Sequence, residues 1–143
     1  MGFRELRTRF KVFTQDGVAR NPYEKLEDAA EVHRFTGVTP SVALHIPWDR
    51  VEDYGHLAKH AAGLGLQIGA INPNVFQEAE YRLGSVCNRD SKVRRKATDH
   101  LLECAEIAGM TGSPALSLWL ADVTNYPGQD DVRARQGRLS EAL

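Results

Sequence analysis

The 143 residues, 42% of them apolar and 26% charged, have the length and composition of a soluble chain with one core. No apolar run approaches the roughly 20 residues of a membrane-spanning helix, and residues 1–13 mix charge with apolar side chains where a signal peptide would be apolar, so a cytoplasmic protein with no membrane partner is expected. A net charge of -1 gives no field for gathering nucleic acid, since Arg4, Arg7, Arg9 and Lys11 form only a short local cluster, and no nucleic-acid partner is expected.

Residues 1–20 carry no regular pattern and read as a loop or arm. The run Asn21-Pro22-Tyr23-Glu24 then places a capping Asn, a Pro at the first helical position and a Glu able to reach back to the cap. The helix that starts there runs through Leu26, Ala30 and His33 to Gly37, which suits a left-handed end. Residues 41–46 form a short apolar run between prolines and predict a buried strand, with Asp49 as the cap of the helix that follows. From Val51 onward Tyr54, Leu57, Ala58, Ala61 and Leu64 recur at helical spacing, Gly63 and Gly65 punctuate, and residues 67–71 predict a second strand. A third helix begins near Ser91, carries Ala97, Leu101, Cys104, Ala105 and Ala108 on one face and ends between Gly109 and Gly112. Residues 115–121 predict a third strand, and Asp130 or Asp131 caps a last helix through Val132 and Leu139.

Alternating helices and apolar strands imply an α/β fold with a parallel sheet covered by helices. The loops after the strands are His45-Ile46-Pro47-Trp48-Asp49, Asn72-Pro73-Asn74 and Asp122-Val123-Thr124-Asn125. None carries the glycine-rich fingerprint of a nucleotide-binding sheet, which favours a β/α barrel over an open doubly wound sheet. A closed barrel takes about 250 residues, so residues 1–143 are expected to form a single partial domain, roughly the first half of a (β/α)8 TIM barrel.

Barrel active sites lie at the carboxyl ends of the strands. His45 and Trp48 end the first strand, Asn72, Asn74 and Phe76 the second, and Trp119, Asp122 and Asn125 the third. Hydrogen-bonding groups beside flat apolar side chains suit a sugar, whose hydroxyls and C–H faces need both. His45 stands out because packing alone asks for no imidazole between Leu44 and Ile46; the plainer reading is a core histidine bonded to a carbonyl. Asp49 could orient it, but the cap reading is favoured. The asparagines beside Pro73 more often bond their own turn than a ligand, and Trp119 alone would be an ordinary core aromatic.

Other candidates have plainer explanations. Two cysteines make neither a disulfide framework nor a four-ligand zinc site, with Cys104 expected in the core and Cys87 as a surface thiol. His56 and His60 have the spacing of a zinc pair, but Leu57 stands where a zinc protease has glutamate, so a solvated or partly packed face is the default. His33 and His100 lie within helices, away from strand ends, and read as structural. Arg133, Arg135 and Arg138, with Asp130 and Asp131 nearby, read as a solvated helix face.

Five segments together resemble bacterial L-rhamnose isomerases of the broad-specificity sugar isomerase type. They are Arg9-Phe10-Lys11-Val12-Phe13, Asn21-Pro22-Tyr23-Glu24-Lys25, Val42-Ala43-Leu44-His45-Ile46-Pro47-Trp48-Asp49, Gly69-Ala70-Ile71-Asn72-Pro73-Asn74-Val75-Phe76 and Thr124-Asn125-Tyr126-Pro127-Gly128-Gln129-Asp130-Asp131. The resemblance implies a xylose-isomerase-like barrel, a homotetramer, an aldose–ketose substrate pair, and a divalent metal, typically manganese, supporting a hydride shift between C1 and C2. It implies that His45 contacts the sugar, that Trp48, Phe76 and Trp119 wall the pocket, and that Phe10 covers the apolar end of a sugar in a neighbouring subunit. The family's metal-binding Glu, Asp and His residues come from later strands, so neither a metal ligand nor a catalytic residue is expected here. Residues 1–7 do not match the expected first strand, and Val123 stands where the family pattern has glycine. Two other readings remain open: a non-catalytic remnant that pairs its sheet edge with another chain, and an independent small-molecule-binding α/β domain.

Overall fold

A computed structural model describes residues 16–120 and 130–143. Helix α1 spans Pro22–Thr36, with Asn21 Oδ1 accepting from Glu24 N at 3.0 Å and Gly37 closing the end at φ 70°. Only half of the anticipated capping box forms. Glu24 reaches past Asn21 to the backbone N–H and guanidinium of Arg20, at 2.7 and 2.9 Å, because the arginine adds a charge to the bond. Strand β1, Ser41–Ile46, has the predicted bounds. Helix α2, Tyr54–Gly63, starts three residues after Val51 and is capped by Asp53, whose Oδ1 accepts from His56 N at 2.8 Å. Asp49 is therefore not its cap.

Strand β2, Gln67–Pro73, lies parallel to β1. Leu44 pairs with Ile71, His45 with Asn72 and Ile46 with Pro73, after an irregularity in which Val42 pairs with Ile68 but Ala43 with Ala70. A 3-10 turn at Ala79–Leu83 leads to the long helix α3, Ser91–Thr111, capped by Asp90 and ended by Gly112 at φ 68°. The predicted third strand is reduced, among the described residues, to one parallel bridge between Ile71 and Leu116: Ile71 N donates to Ala115 O at 3.0 Å and Ser117 N to Ile71 O at 2.9 Å. The next rung would need an N–H at position 73, and Pro73 has none. Helix α4, Val132–Ala142, is capped by Asp131.

Among the described residues the helices pack on one face of the sheet. Leu44, Ile46, Ile68 and Ile71 point into a core closed by Leu26 of α1, Leu57 and Ala61 of α2, and Cys104 and Ile107 of α3. Helices α1 and α2 run side by side in the same sense, since Tyr23 meets the rings of His56 and His60 and Glu27 lies 3.5 Å from His60. A second core forms around Val75, Tyr81, Val86, Ala97 and Leu101, with Leu139 and Ala142 of α4 packed against it. Cys87 belongs to this core at 6% exposure, so it is not a surface thiol; its segment turns inward under α3. The opposite face of the sheet carries Ala43 and His45, both exposed, and has no helix among the described residues. The described residues are thus α/β, a two-stranded parallel sheet with helices on one face. That arrangement is shared by a β/α barrel and by part of an open sheet, and the described residues close neither. No described helix is long and apolar enough to cross a membrane.

Candidate functional site

The parallel register places His45 and Asn72 side by side on the helix-free face. His45 is exposed, not enclosed in a strand buried on both faces as its apolar neighbours suggest, because side chains 41, 43 and 45 alternate away from the helices. The Asn72 amide nitrogen lies 2.8 Å from His45 Nε2. In that orientation Nε2 accepts and the ring proton sits on Nδ1. Asn72 Oδ1 is buried and has no hydrogen-bond partner among the described residues. A buried acceptor left open costs about 1–3 kcal/mol, so this amide has a standing affinity for a hydroxyl donor. The imidazole is stacked on Trp48, with centroids 5.9 Å apart and planes 22° from parallel.

Asp49 holds this arrangement from behind. It is 5% exposed, its Oδ2 accepts from His45 N at 2.8 Å, and its other oxygen pairs with Lys25 of α1. Its own N–H returns a bond to His45 O at 2.8 Å. Asp49 therefore acts on the backbone of His45, neither orienting the imidazole nor capping a helix. Asn74, 8% exposed, bonds its own turn as anticipated: Oδ1 accepts from Phe76 N and Gln77 N at 3.2 and 3.1 Å. That turn presents Phe76, whose ring meets Trp119 at 5.1 Å. Trp119 is 42% exposed, unlike an ordinary core aromatic, since residues 115, 117 and 119 alternate onto the helix-free face.

The sequence-derived set thus falls into His45 with Trp48 and Asn72, and Phe76 with Trp119, both at the carboxyl ends of neighbouring chain segments. Phe10, Asp122, Val123 and Asn125 lie outside the described residues. His56 and His60 face Tyr23 and Glu27 in the seam between α1 and α2. Among the described residues no three His, Cys, Asp or Glu side chains are grouped to hold a metal ion.

Two readings of helical residues change. His100 is not remote from a strand end: its Nε2 lies 3.3 Å from Ile46 O. Its partner Glu103 is desolvated, which opposes its charge, yet bonds from His100 and Arg50 hold the carboxyl below the usual range. Arg135 and Arg138 do not form a solvated face; they converge with Arg89 on Asp130, and Arg138 also donates to Cys87 O at 3.2 Å. Asp130 is drawn by this network to about 2: burial raises its carboxyl, but bonds from Arg135, Arg89 and the Asp131 N–H outweigh that. The sequence signal for the His100 contact was an imidazole on the apolar stripe of α3, and for Arg135 and Arg138 only the nearby Asp130.

The chain is similar to a probable sugar isomerase of Rhizobium meliloti, 45% identical over 141 residues, which cover 95% of this chain and 33% of that protein. It is similar also to a probable sugar isomerase of Mesorhizobium japonicum, 42% identical over 141 residues, again 95% of this chain and 33% of the relative. The chain therefore spans about a third of the length of these curated relatives. No family model matches it.

Proposed function

We propose that this chain forms the sugar-facing portion of an aldose–ketose isomerase whose substrate pair is L-rhamnose and L-rhamnulose. The observation that carries this is the His45–Asn72 pair, with its open acceptor and its stack on Trp48, at the carboxyl ends of parallel strands. A hydroxyl pair on a sugar can donate to Asn72 Oδ1 and accept from His45 Nδ1, while its C–H face lies on an aromatic ring. The likeness to two proteins named probable sugar isomerases supports the reaction class. The segments resembling L-rhamnose isomerases support the choice of sugar.

In this reading the helix-free face lines the inside of a (β/α)8 barrel, completed by strands other than those described, in a cytoplasmic homotetramer. Trp48, Phe76 and Trp119 wall the pocket, and Phe10 reaches the pocket of a neighbouring subunit. A divalent metal ion, manganese by the resemblance, would supply polarisation of the sugar oxygens and would be held by residues other than those described. The residues described bind the sugar, orient it and shield it from water.

The test is titration of the protein with L-rhamnose, followed by tryptophan fluorescence. A saturable change is expected, with His45→Ala weakening it about tenfold, the scale of a lost hydrogen bond to a buried partner. No response to L-rhamnose, or equal affinity in His45→Ala, would overturn the reading. Conversion to ketose in the presence of manganese then tests the reaction itself.

A further inference from the structure

The turn that carries Trp48 is gripped from its helix-covered side by one stretch of α3 that the sugar-binding reading does not use. Ile46 O, where β1 ends, accepts from Asn74 N at 2.9 Å and faces His100 Nε2 at 3.3 Å. His100 Nδ1 lies 3.0 Å from Glu103 Oε2. Both ring nitrogens therefore face oxygen acceptors. Glu103 in turn holds Arg50, whose Nη2 donates to both carboxylate oxygens at 2.6 Å. Arg50 closes the same turn, its backbone N–H reaching Pro47 O at 3.3 Å. The two ends of the turn are thus tied to α3 through a single carboxylate, with the His100 side chain only 14% exposed.

We infer that His100, Glu103 and Arg50 are positioning residues that set where Trp48 and His45 stand. Their reach matches the need: a sugar's hydroxyls are resolved only if the imidazole and indole hold a fixed spacing, and the turn has only its last strand residue in the sheet. The link to substrate rests on the isomerase reading; the link to the turn does not.

The experiment uses the full chain with Trp119→Phe, which leaves Trp48 as the sole tryptophan. Emission wavelength and acrylamide quenching of Trp48 are compared in His100→Phe, His100→Gln and Arg50→Met, with circular dichroism confirming the fold. A red-shifted, more quenchable Trp48 is expected in His100→Phe, largely restored in His100→Gln, and shifted the same way in Arg50→Met. With Trp119 restored, L-rhamnose affinity should fall about tenfold in His100→Phe, equivalent to one charge-assisted bond. A wild-type Trp48 spectrum in either His100→Phe or Arg50→Met would overturn the inference. Should His100→Phe fail to fold, Arg50→Met decides, because that side chain is 53% exposed. If the protein with Trp119 intact ignores L-rhamnose while the variants still shift Trp48, the isomerase reading fails and the positioning role stands.

Discussion

Replacing Asp49 separates two roles that one carboxylate combines. Its Oδ2 takes the backbone N–H of His45 at 2.8 Å, and its Oδ1 pairs with Lys25, whose side chain is 34% exposed. In Asp49→Ala the His45 N–H loses its acceptor, at about 1–3 kcal/mol for a desolvated donor. The Lys25 ammonium can turn to water, so its loss adds only about 0–1 kcal/mol. The sum centres near 2 kcal/mol, with the N–H dominant. Asp49→Asn keeps an oxygen for the N–H and drops only the charge, so it should cost under about 1 kcal/mol. Urea unfolding by circular dichroism reads this directly: with a slope of about 1–3 kcal/mol per molar, Asp49→Ala should lower the midpoint by about 1 M at unchanged slope. Amide exchange adds a local reading, with the His45 N–H protected in the wild type and Asp49→Asn and fast in Asp49→Ala. Equal costs for the two variants would refute the reasoning, because the ion pair and not the backbone bond would then be the stabilising contact.

Three further outcomes follow from the geometry. Because Asp130 titrates near 2 in the folded chain and about 3.9 when unfolded, its contribution is complete above the unfolded value and vanishes as pH falls through the folded one. Amide exchange in α4 should therefore accelerate between pH about 4 and about 2, and Asp130→Asn should accelerate it at neutral pH and flatten that acid step. Gly69→Ala would bring a Cβ onto Ser41 Oγ, so the exposed serine hydroxyl must turn aside, at about 0.5–1.5 kcal/mol in chemical denaturation that Ser41→Ala should largely recover. Cys104, fully buried and pushed up to about 12 by desolvation and the nearby Glu103 charge, should resist iodoacetamide at pH 8 in the native protein and react on unfolding, as mass spectrometry would show.

Local chemistry was legible where the residues that decide it are neighbours in sequence. Asn21, Pro22 and Gly37 delimit α1, Ser91 starts α3, and the apolar run 41–46 is a strand to the residue. The candidate residues His45, Trp48, Phe76 and Trp119 also pair as strand-end side chains should. What could not be read is which distant group completes each bond. Asp49 sits where a cap is expected, but the five-residue gap to Tyr54 gives Asp53 that role and frees Asp49 for β1. His100 is one residue in a 21-residue helix, and only packing of α3 against the end of β1 reveals its partner. Strand 115–121 has strand composition, yet a proline in the neighbouring strand removes the donor that would extend it.

The break in register between Val42 and Ala43 decides the parity of everything after it. Were Gly69 to pair in register with Ala43 instead of being passed over, Ile46 would stand beside Asn72 and His45 beside Ile71, so the amide would turn toward the helices and an isoleucine toward the open face. The imidazole–amide pair is thus specified by a count of residues as much as by their identities. A point substitution at His45 or Asn72 removes one group, whereas loss of the bulge with Gly69 retained would exchange the two faces of the strand at once; deletion of Gly69 itself would leave His45 opposite Asn72.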